Sequence, residues 1–244
     1  MPIYLAILLF LSAWIGYILV YIPFFSTPVF TKNILSFAAG YILTVCAVDL
    51  LPAIYSANVV TSGAFIIVGF LLQMVLDHFS GGIEHGHVHL TTSEDNKKGA
   101  FPIGMLGGLC IHAFLEGFPL GSVDEHTLEY LIWGIVVHNI PVSIVLVGFL
   151  KHQKISNIGI IASITLFACM TPLGAYLTQY LNASFPVLVS YQPIALALVI
   201  GILMHLATTI FFESIKHHKI QISKFVISLM GVLVALIIHS QHTH

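Results

Sequence analysis

The chain has 244 residues, of which 58% are hydrophobic and only 7% are charged, with a formal net charge of −2. A soluble domain carries about 25% charged residues, so a soluble surface of this size could not be covered by so few charges. The composition therefore excludes a soluble enzyme, a nucleic-acid-binding protein and a disordered chain, and it indicates that the main solvent is lipid.

The apolar residues fall into eight stretches along the chain. A membrane-spanning helix needs about 20 such residues, so each stretch is long enough for one span. The links are short except for a polar segment at 80–98, which we interpret as a loop between spans three and four. The pattern predicts an all-α polytopic protein with a single membrane domain over 1–244. The predicted spans are 3–24, 33–55, 59–78, 99–121, 128–150, 156–181, 187–213 and 223–240.

The lysines indicate the orientation of this bundle. The chain has eight lysines and no arginine; seven lysines lie in the link after span one, three, five or seven, and Lys224 lies at the start of span eight, next to the last of these links. With eight spans, these links are all on the same side of the membrane. The positive-inside rule assigns that side to the cytoplasm. We therefore expect the 80–98 loop in the cytoplasm and both termini on the outer side of the membrane.

Spans four and five carry polar side chains that are costly to place in lipid. His112 and Glu116 are four residues apart and share one face of a helix, while His138 and Asn139 lie in span five. Spans joined by a short link tend to be neighbours, so these groups can converge. Two imidazoles and a carboxylate suit zinc or another divalent metal. The alternative is a hydrogen bond between helices, which we favour for His205.

Four motifs of the sequence are informative together. They are HAFLEGFPLG at 112–121, HNIP at 138–141, FAAGYILTVCAVDLLPA at 37–53 and TPLGAYL at 171–177. In this order they resemble the fourth, fifth, second and sixth spans of one family, the ZIP (Zrt-/Irt-like) metal transporters, and HNIP resembles especially the bacterial GufA-like branch. The resemblance implies outward termini and an inverted repeat of spans 1–3 and 6–8 around spans 4–5. It also implies transport of a divalent cation, above all Zn²⁺, into the cytoplasm, and a homodimer.

The resemblance also implies a metal site with altered ligands. The family's primary site falls on His112, Glu116, His138 and Val142, of which the valine cannot bind a metal. A second, adjacent subsite shares the carboxylate and has otherwise lost most of its ligands. Its remaining positions are Ala113, Asn139, Val142 and Thr171. We therefore expect one tightly bound ion, held by the three competent ligands with Asn139 beside them.

Other polar residues suggest a path for the ion on either side of that site. Asp49 lies near the outer end of span two, where it could guide cations inward; the alternative is an interfacial carboxylate whose partner is a helix end. Residues of span seven are expected to line the inner exit, and histidines of the 80–98 loop are expected to contact metal in the cytoplasm, since imidazole is a good ligand for such ions. These residues are His205, Thr209 and Glu213 in span seven and His85, His87 and His89 in the loop.

Two other functions fit the same residues. An intramembrane zinc-dependent hydrolase could use the histidines and the carboxylate to hold a catalytic ion, but the sequence has neither HExxH nor GxSxG to support it. A degenerate family member could sense metal without moving it. We predict a transporter, not an enzyme, in the plasma or inner membrane of a cell, with the metal ion and the bilayer as partners and no nucleic acid.

Overall fold

The computed structural model describes residues 1–55, 59–83, 101–213, 215–216 and 219–242. Long helices form almost all of this part of the chain, and we number them α1 to α8 in order. Their bounds are Ile3–Leu19 (α1), Pro28–Val45 (α2), Val59–Ser80 (α3), Ile103–Gly117 (α4), Glu125–His152 (α5), Asn157–Ser184 (α6), Gln192–Glu213 (α7) and Ile222–His242 (α8).

Shorter elements extend or join these helices. After α2 the chain continues through a π-helical turn into one more α-helical turn, and 3-10 turns follow α4 and precede α7. Two short strands, β1 and β2, pair antiparallel between α7 and α8. The bounds are Cys46–Leu50 and Leu51–Tyr55 after α2, Phe118–Gly121 after α4, Pro186–Tyr191 before α7, Ile215–Lys216 for β1 and Lys219–Ile220 for β2.

The described helices have the lengths that a membrane protein requires. Seven helical segments within the described residues are long and apolar enough to cross a membrane. The remaining apolar helix, α1, has 17 residues, so it is about 26 Å long at 1.5 Å per residue, slightly less than the ~30 Å hydrocarbon core. The prediction of an all-α polytopic membrane protein is confirmed.

Side-chain caps explain where several of the helices begin. Thr27 caps α2 by accepting a hydrogen bond from the backbone N–H of Phe30, and Pro28 occupies the first turn. Asp124 and Ser156 cap α5 and α6 in the same way. Each cap satisfies a backbone N–H group that has no acceptor within its own helix. The caps therefore define the ends of the links that precede these helices.

The helices form two groups that pack side by side. In one group, α3 packs along α7 and α2 packs along α8, with α2 and α7 in contact between them. In the other group, α1 packs along α5 and α4 packs along α6, with α1 and α6 in contact. Contacts of α2 with α5 and of α3 with α4 join the two groups. The helices that carry the candidate ligands, α4 and α5, thus belong to one group, and α3 of the other group borders α4.

Each of the four closest helix pairs has a backbone contact at small residues. A Cβ atom added to the glycine of one helix would overlap a carbonyl oxygen of its partner helix, which leaves no room for a larger residue. In the glycine–glycine pairs, each glycine faces the carbonyl three residues before the glycine of its partner. The pairs are Gly69 with Gly201 (α3 and α7), Gly40 with Gly231 (α2 and α8), Gly117 with Gly174 (α4 and α6), and Gly16 with Ser143 (α1 and α5).

This pattern of pairs has an internal symmetry. The pattern of pairs stays the same when each helix is exchanged with an equivalent one. The equivalent helices are α1 and α6, α2 and α7, α3 and α8, and α4 and α5. The pair α3–α7 then becomes α8–α2, the pair α4–α6 becomes α5–α1, and the small residues at the contacts coincide. Helices five apart in an up-and-down chain run in opposite directions, so the exchange is the one that the predicted inverted repeat requires.

Candidate metal site

Three side chains that can bind a metal meet between α4 and α5. His112 and Glu116 of α4 and His138 of α5 are each at most 1% exposed. One ligand atom from each of them lies within 4.8 Å of the other two. His112 Nε2 is 3.2 Å from Glu116 Oε1, and the centroids of the two imidazole rings are 5.9 Å apart. The fold therefore brings together the groups that the sequence spacing suggested.

Helix geometry and packing explain this convergence. The four-residue spacing places His112 and Glu116 on one face of α4. The next residue, Gly117, is pressed against the backbone of α6, and this contact fixes the rotation of α4 about its axis. On α5, Ser143 makes the corresponding contact with α1 at Gly16. The direction of all three ligand side chains is thus determined by close backbone contacts nearby.

The charge of Glu116 dominates the electrostatics of this cluster. Its side chain is fully buried, and no hydrogen bond from the described residues reaches either carboxylate oxygen. A buried carboxylate is costly in a medium of low dielectric constant unless a positive charge compensates it. The cluster therefore favours a bound cation, whose charge offsets that of the carboxylate.

The remaining positions near the cluster offer fewer ligands. Asn139 on α5 is 3% exposed and supplies a neutral amide. Ala113, Val142 and Thr171, which correspond to the second subsite, are also buried, and the first two have no ligand atom in their side chains. The thiol of Cys110 is not part of the group of ligand atoms within 4.8 Å. Within the described residues, the group of three carboxylate and imidazole ligands that could hold an ion therefore consists of His112, Glu116 and His138.

A chain of polar side chains leads from this cluster to α3 and α7. His112 Nδ1 is 2.8 Å from Gln73 Oε1, and Gln73 Nε2 donates a hydrogen bond of 2.8 Å to Asp77 Oδ1. Asp77 Oδ2 in turn lies 3.3 Å from His205 Nδ1. Gln73 is not among the residues predicted from the sequence, although its four-residue spacing from Asp77 inside an apolar stretch is a detectable signal.

Asp49 belongs to a separate polar pair. It lies in the π-helical turn after α2, and its Oδ1 atom is 2.6 Å from Nδ1 of His239 on α8. The ring of His239 also faces Tyr130 of α5, with the centroids 6.1 Å apart. π-helical turns are frequent at functional sites. The three-ligand cluster does not include Asp49, which therefore stays a candidate for the path and not for the deep site.

The other predicted path residues are only partly described. Thr209 is half-buried on α7. Glu213 is the last residue of α7, and its side chain lies outside the described part of the chain. The loop histidines His85, His87 and His89 also lie outside the described residues. Their contacts with metal remain predictions.

A comparison with protein families identifies the chain. A sequence model of the ZIP zinc transporter family matches residues 103–239, which is more than half of the chain and includes the whole three-ligand cluster. A search of curated proteins gave no significant match. ZIP proteins carry divalent metals across membranes and are not enzymes, which removes the hydrolase from consideration. The family match and the apolar helices together show an integral, multi-pass membrane protein, and the chain belongs to the ZIP zinc transporter family.

Proposed function

We propose that this protein transports zinc into the cytoplasm through a single binding site formed by His112, Glu116 and His138. The observation that carries the proposal is the fully buried carboxylate of Glu116, with two imidazoles whose ligand atoms lie within 4.8 Å of it and of each other. Zn²⁺ binds imidazole nitrogen and carboxylate oxygen, and a set of three protein ligands leaves a coordination position for water.

The ligand set also admits divalent metals other than zinc. Imidazole and carboxylate together accept several divalent first-row metals, whose affinities generally follow the Irving–Williams order. Asn139 next to His138 offers a weaker oxygen ligand that could join the coordination sphere. Other divalent metals are therefore expected as additional substrates beside zinc.

The proposed route runs from Asp49 on the outside to the lysine-rich face inside. A cation passes the Asp49–His239 pair, loses part of its hydration shell and binds at the deep cluster. It leaves past His205, Thr209 and Glu213 toward the histidines of the 80–98 loop. The lysines support this direction because the positive-inside rule assigns their side to the cytoplasm, and the whole chain then acts as a single transport domain.

We further propose that only one ion is bound tightly at a time. Val142 is fully buried and Ala113 is fully buried, so neither position contributes a ligand or a charge to a second ion. A second divalent cation near the first would therefore lack the carboxylates needed to offset their mutual repulsion. The proposed setting is the plasma or inner membrane, in which the protein forms a homodimer.

Uptake into liposomes tests the function. Purified protein is reconstituted, and accumulation of radiolabelled Zn²⁺ is compared for the wild type, Glu116→Ala and Glu125→Ala, in which an exposed carboxylate at the start of α5 serves as the matched control. We expect steady accumulation for the wild type and the control, and none for Glu116→Ala. Stoichiometric binding of zinc without accumulation by the wild type would instead indicate a metal sensor. Equal uptake by all three proteins would contradict the site assignment.

A further inference from the structure

The side chain of Gln73 occupies an unusual position for an amide. It is completely buried on α3, in the helix group opposite to that of α4 and α5. It contacts a candidate ligand on one side and a carboxylate on the other, through His112 Nδ1 and Asp77 Oδ1, each at 2.8 Å. A buried amide that satisfies both of its polar ends in this way has a defined orientation.

That orientation determines the tautomer of the histidine. The carboxylate of Asp77 can only accept hydrogen bonds when ionised, so the amide NH₂ of Gln73 must point toward Asp77. The amide oxygen then points toward His112, and an oxygen can only accept, so Nδ1 of His112 must carry the hydrogen. The Nε2 atom, 3.2 Å from Glu116 Oε1, then carries the lone pair through which a neutral imidazole binds a metal.

We propose that Gln73 is a positioning residue of the ion site, which holds His112 as the Nδ1–H tautomer with Nε2 directed at the ion. The inference rests on the proposed function, since it assigns Nε2 of His112 as a ligand. Hydrogen bonds from ligating histidines to outer groups are a general means of fixing ring orientation and raising basicity. Here the outer group is an amide, and the negative charge of Asp77 acts on His112 through it.

The position of Gln73 on α3 has a structural consequence. The ligands themselves come from α4 and α5, but the group that orients one of them comes from the other helix group. The strength of metal binding therefore depends on the contact between α3 and α4, one of the few contacts that join the two groups.

Metal binding by purified full-length protein in detergent tests this role. Co²⁺ is titrated by its visible absorption, and Zn²⁺ by competition with it. Gln73→Met keeps the volume of the side chain but has no acceptor for Nδ1–H, whereas Gln73→Asn keeps the amide but is one methylene too short to bridge both contacts. Gln73→Glu retains an oxygen acceptor. Ser62→Ala, which removes another buried side-chain hydrogen bond of α3, is the matched control.

We expect Gln73→Met and Gln73→Asn to bind both metals about 10–100-fold more weakly, the usual effect of losing an outer partner of a ligating histidine. Ser62→Ala should remain near the wild-type affinity, and Gln73→Glu, which keeps the acceptor for Nδ1–H but loses the donor to Asp77, should lose less affinity than Gln73→Met. Ring ¹⁵N spectra, with His112 assigned by His112→Asn, should show Nδ1–H in the wild type and a mixture of tautomers in Gln73→Met.

The two proposals fail in different ways. If the wild type does not bind Co²⁺ or Zn²⁺, or if Glu116→Gln binds as tightly as the wild type, the site assignment itself is wrong. If the wild type binds, Glu116→Gln does not, and Gln73→Met or Gln73→Asn binds like the wild type, only the role of Gln73 is wrong. An equal loss in Ser62→Ala would mean that general destabilisation of α3, and not the tautomer, explains the effect.

Discussion

The two helices of the site, α4 and α5, have equivalent positions in the fold and different chemistry. The symmetry of the helix pairs aligns Gly117 on α4 with Ser143 on α5, and the histidines five residues earlier then coincide. The aligned positions are His112, Ala113, Glu116 and Gly117 on α4 and His138, Asn139, Val142 and Ser143 on α5. Both helices therefore offer an imidazole at the same place, but only α4 offers a carboxylate.

This difference shows how little charge the proposed site contains. A buried carboxylate is tolerated where a cation compensates it, and a single one suffices for a single ion. On the α5 side, the fully buried Val142 makes that wall of the site apolar. The asymmetry between two equivalent helices thus supports a site for one ion, oriented toward α4, where Gln73 also contacts the histidine.

The largest effect is expected when α4 loses the carboxylate that distinguishes it from α5. Glu116→Gln leaves the shape of the side chain but removes the negative charge, so Zn²⁺ affinity should fall by more than about 100-fold, beyond the range of outer-partner changes. Competition titration of purified protein measures this, with Glu125→Gln as the control at an exposed carboxylate. An affinity close to that of the wild type would show that the negative charge of Glu116 does not contribute to zinc binding.

A second test gives α5 a carboxylate at Val142, the position equivalent to Glu116 on α4. Val142→Glu places an acid at a fully buried position, which should destabilise the metal-free protein by several kcal/mol, about the cost of an uncompensated buried charge. Added Zn²⁺ should restore the thermal stability and raise the bound stoichiometry above that of the wild type. Val147→Glu, at another fully buried position of α5, is the control, and added Zn²⁺ should not restore the thermal stability of this variant.

A rescue of both glutamate variants by zinc would contradict this interpretation. It would mean that the metal stabilises the protein in general and does not reach position 142. Thermal unfolding with and without metal, followed by the loss of monodisperse protein on heating, distinguishes the two outcomes.

A smaller effect is expected at the helix contact of α4. Gly117→Val would force a side chain into the backbone of α6, and overpacking costs about 1–3 kcal/mol, which is a fall of several degrees in apparent melting temperature. Gly107→Val on the same helix is the matched control, since a Cβ at Gly107 meets nothing within 4 Å. If both variants have the same apparent melting temperature, the close contact of α4 with α6 is not needed for stability.

The smallest effect is expected at the equivalent position of α5. Ser143 is fully buried, and within the described residues its hydroxyl has no hydrogen-bond partner. Ser143→Ala removes this unsatisfied group, which costs about 1–3 kcal/mol when buried, so the apparent melting temperature should stay the same or rise slightly. A clear decrease would indicate that the hydroxyl has a partner in the functioning protein.

The sequence predicted the helices and the central cluster because both depend on local patterns. Runs of apolar residues define spans, and the spacing of His112 and Glu116 defines a shared helix face. The short link between spans four and five was enough to bring His138 near. These inferences required only helix periodicity and the adjacency of consecutive spans.

Features that depend on distant helix pairs could not be predicted in this way. Gln73 reaches the cluster because α3 packs against α4. The link between these helices includes the long 80–98 segment, so its length does not indicate that they are neighbours. Asp49 pairs with His239, which lies almost at the other end of the chain. No periodicity indicates that α2 packs along α8, so both contacts emerge only from the three-dimensional arrangement.

The single carboxylate of Glu116 has a consequence for how membrane voltage acts on transport. With both histidines neutral, the empty site carries one negative charge, and the site with a divalent ion carries one positive charge. Moving one elementary charge across the membrane is worth about 2.3 kcal/mol per 100 mV. Where the site moves within the membrane, a potential that is negative inside therefore draws the loaded site inward and drives the empty site outward, so the same voltage assists both halves of the proposed uptake cycle.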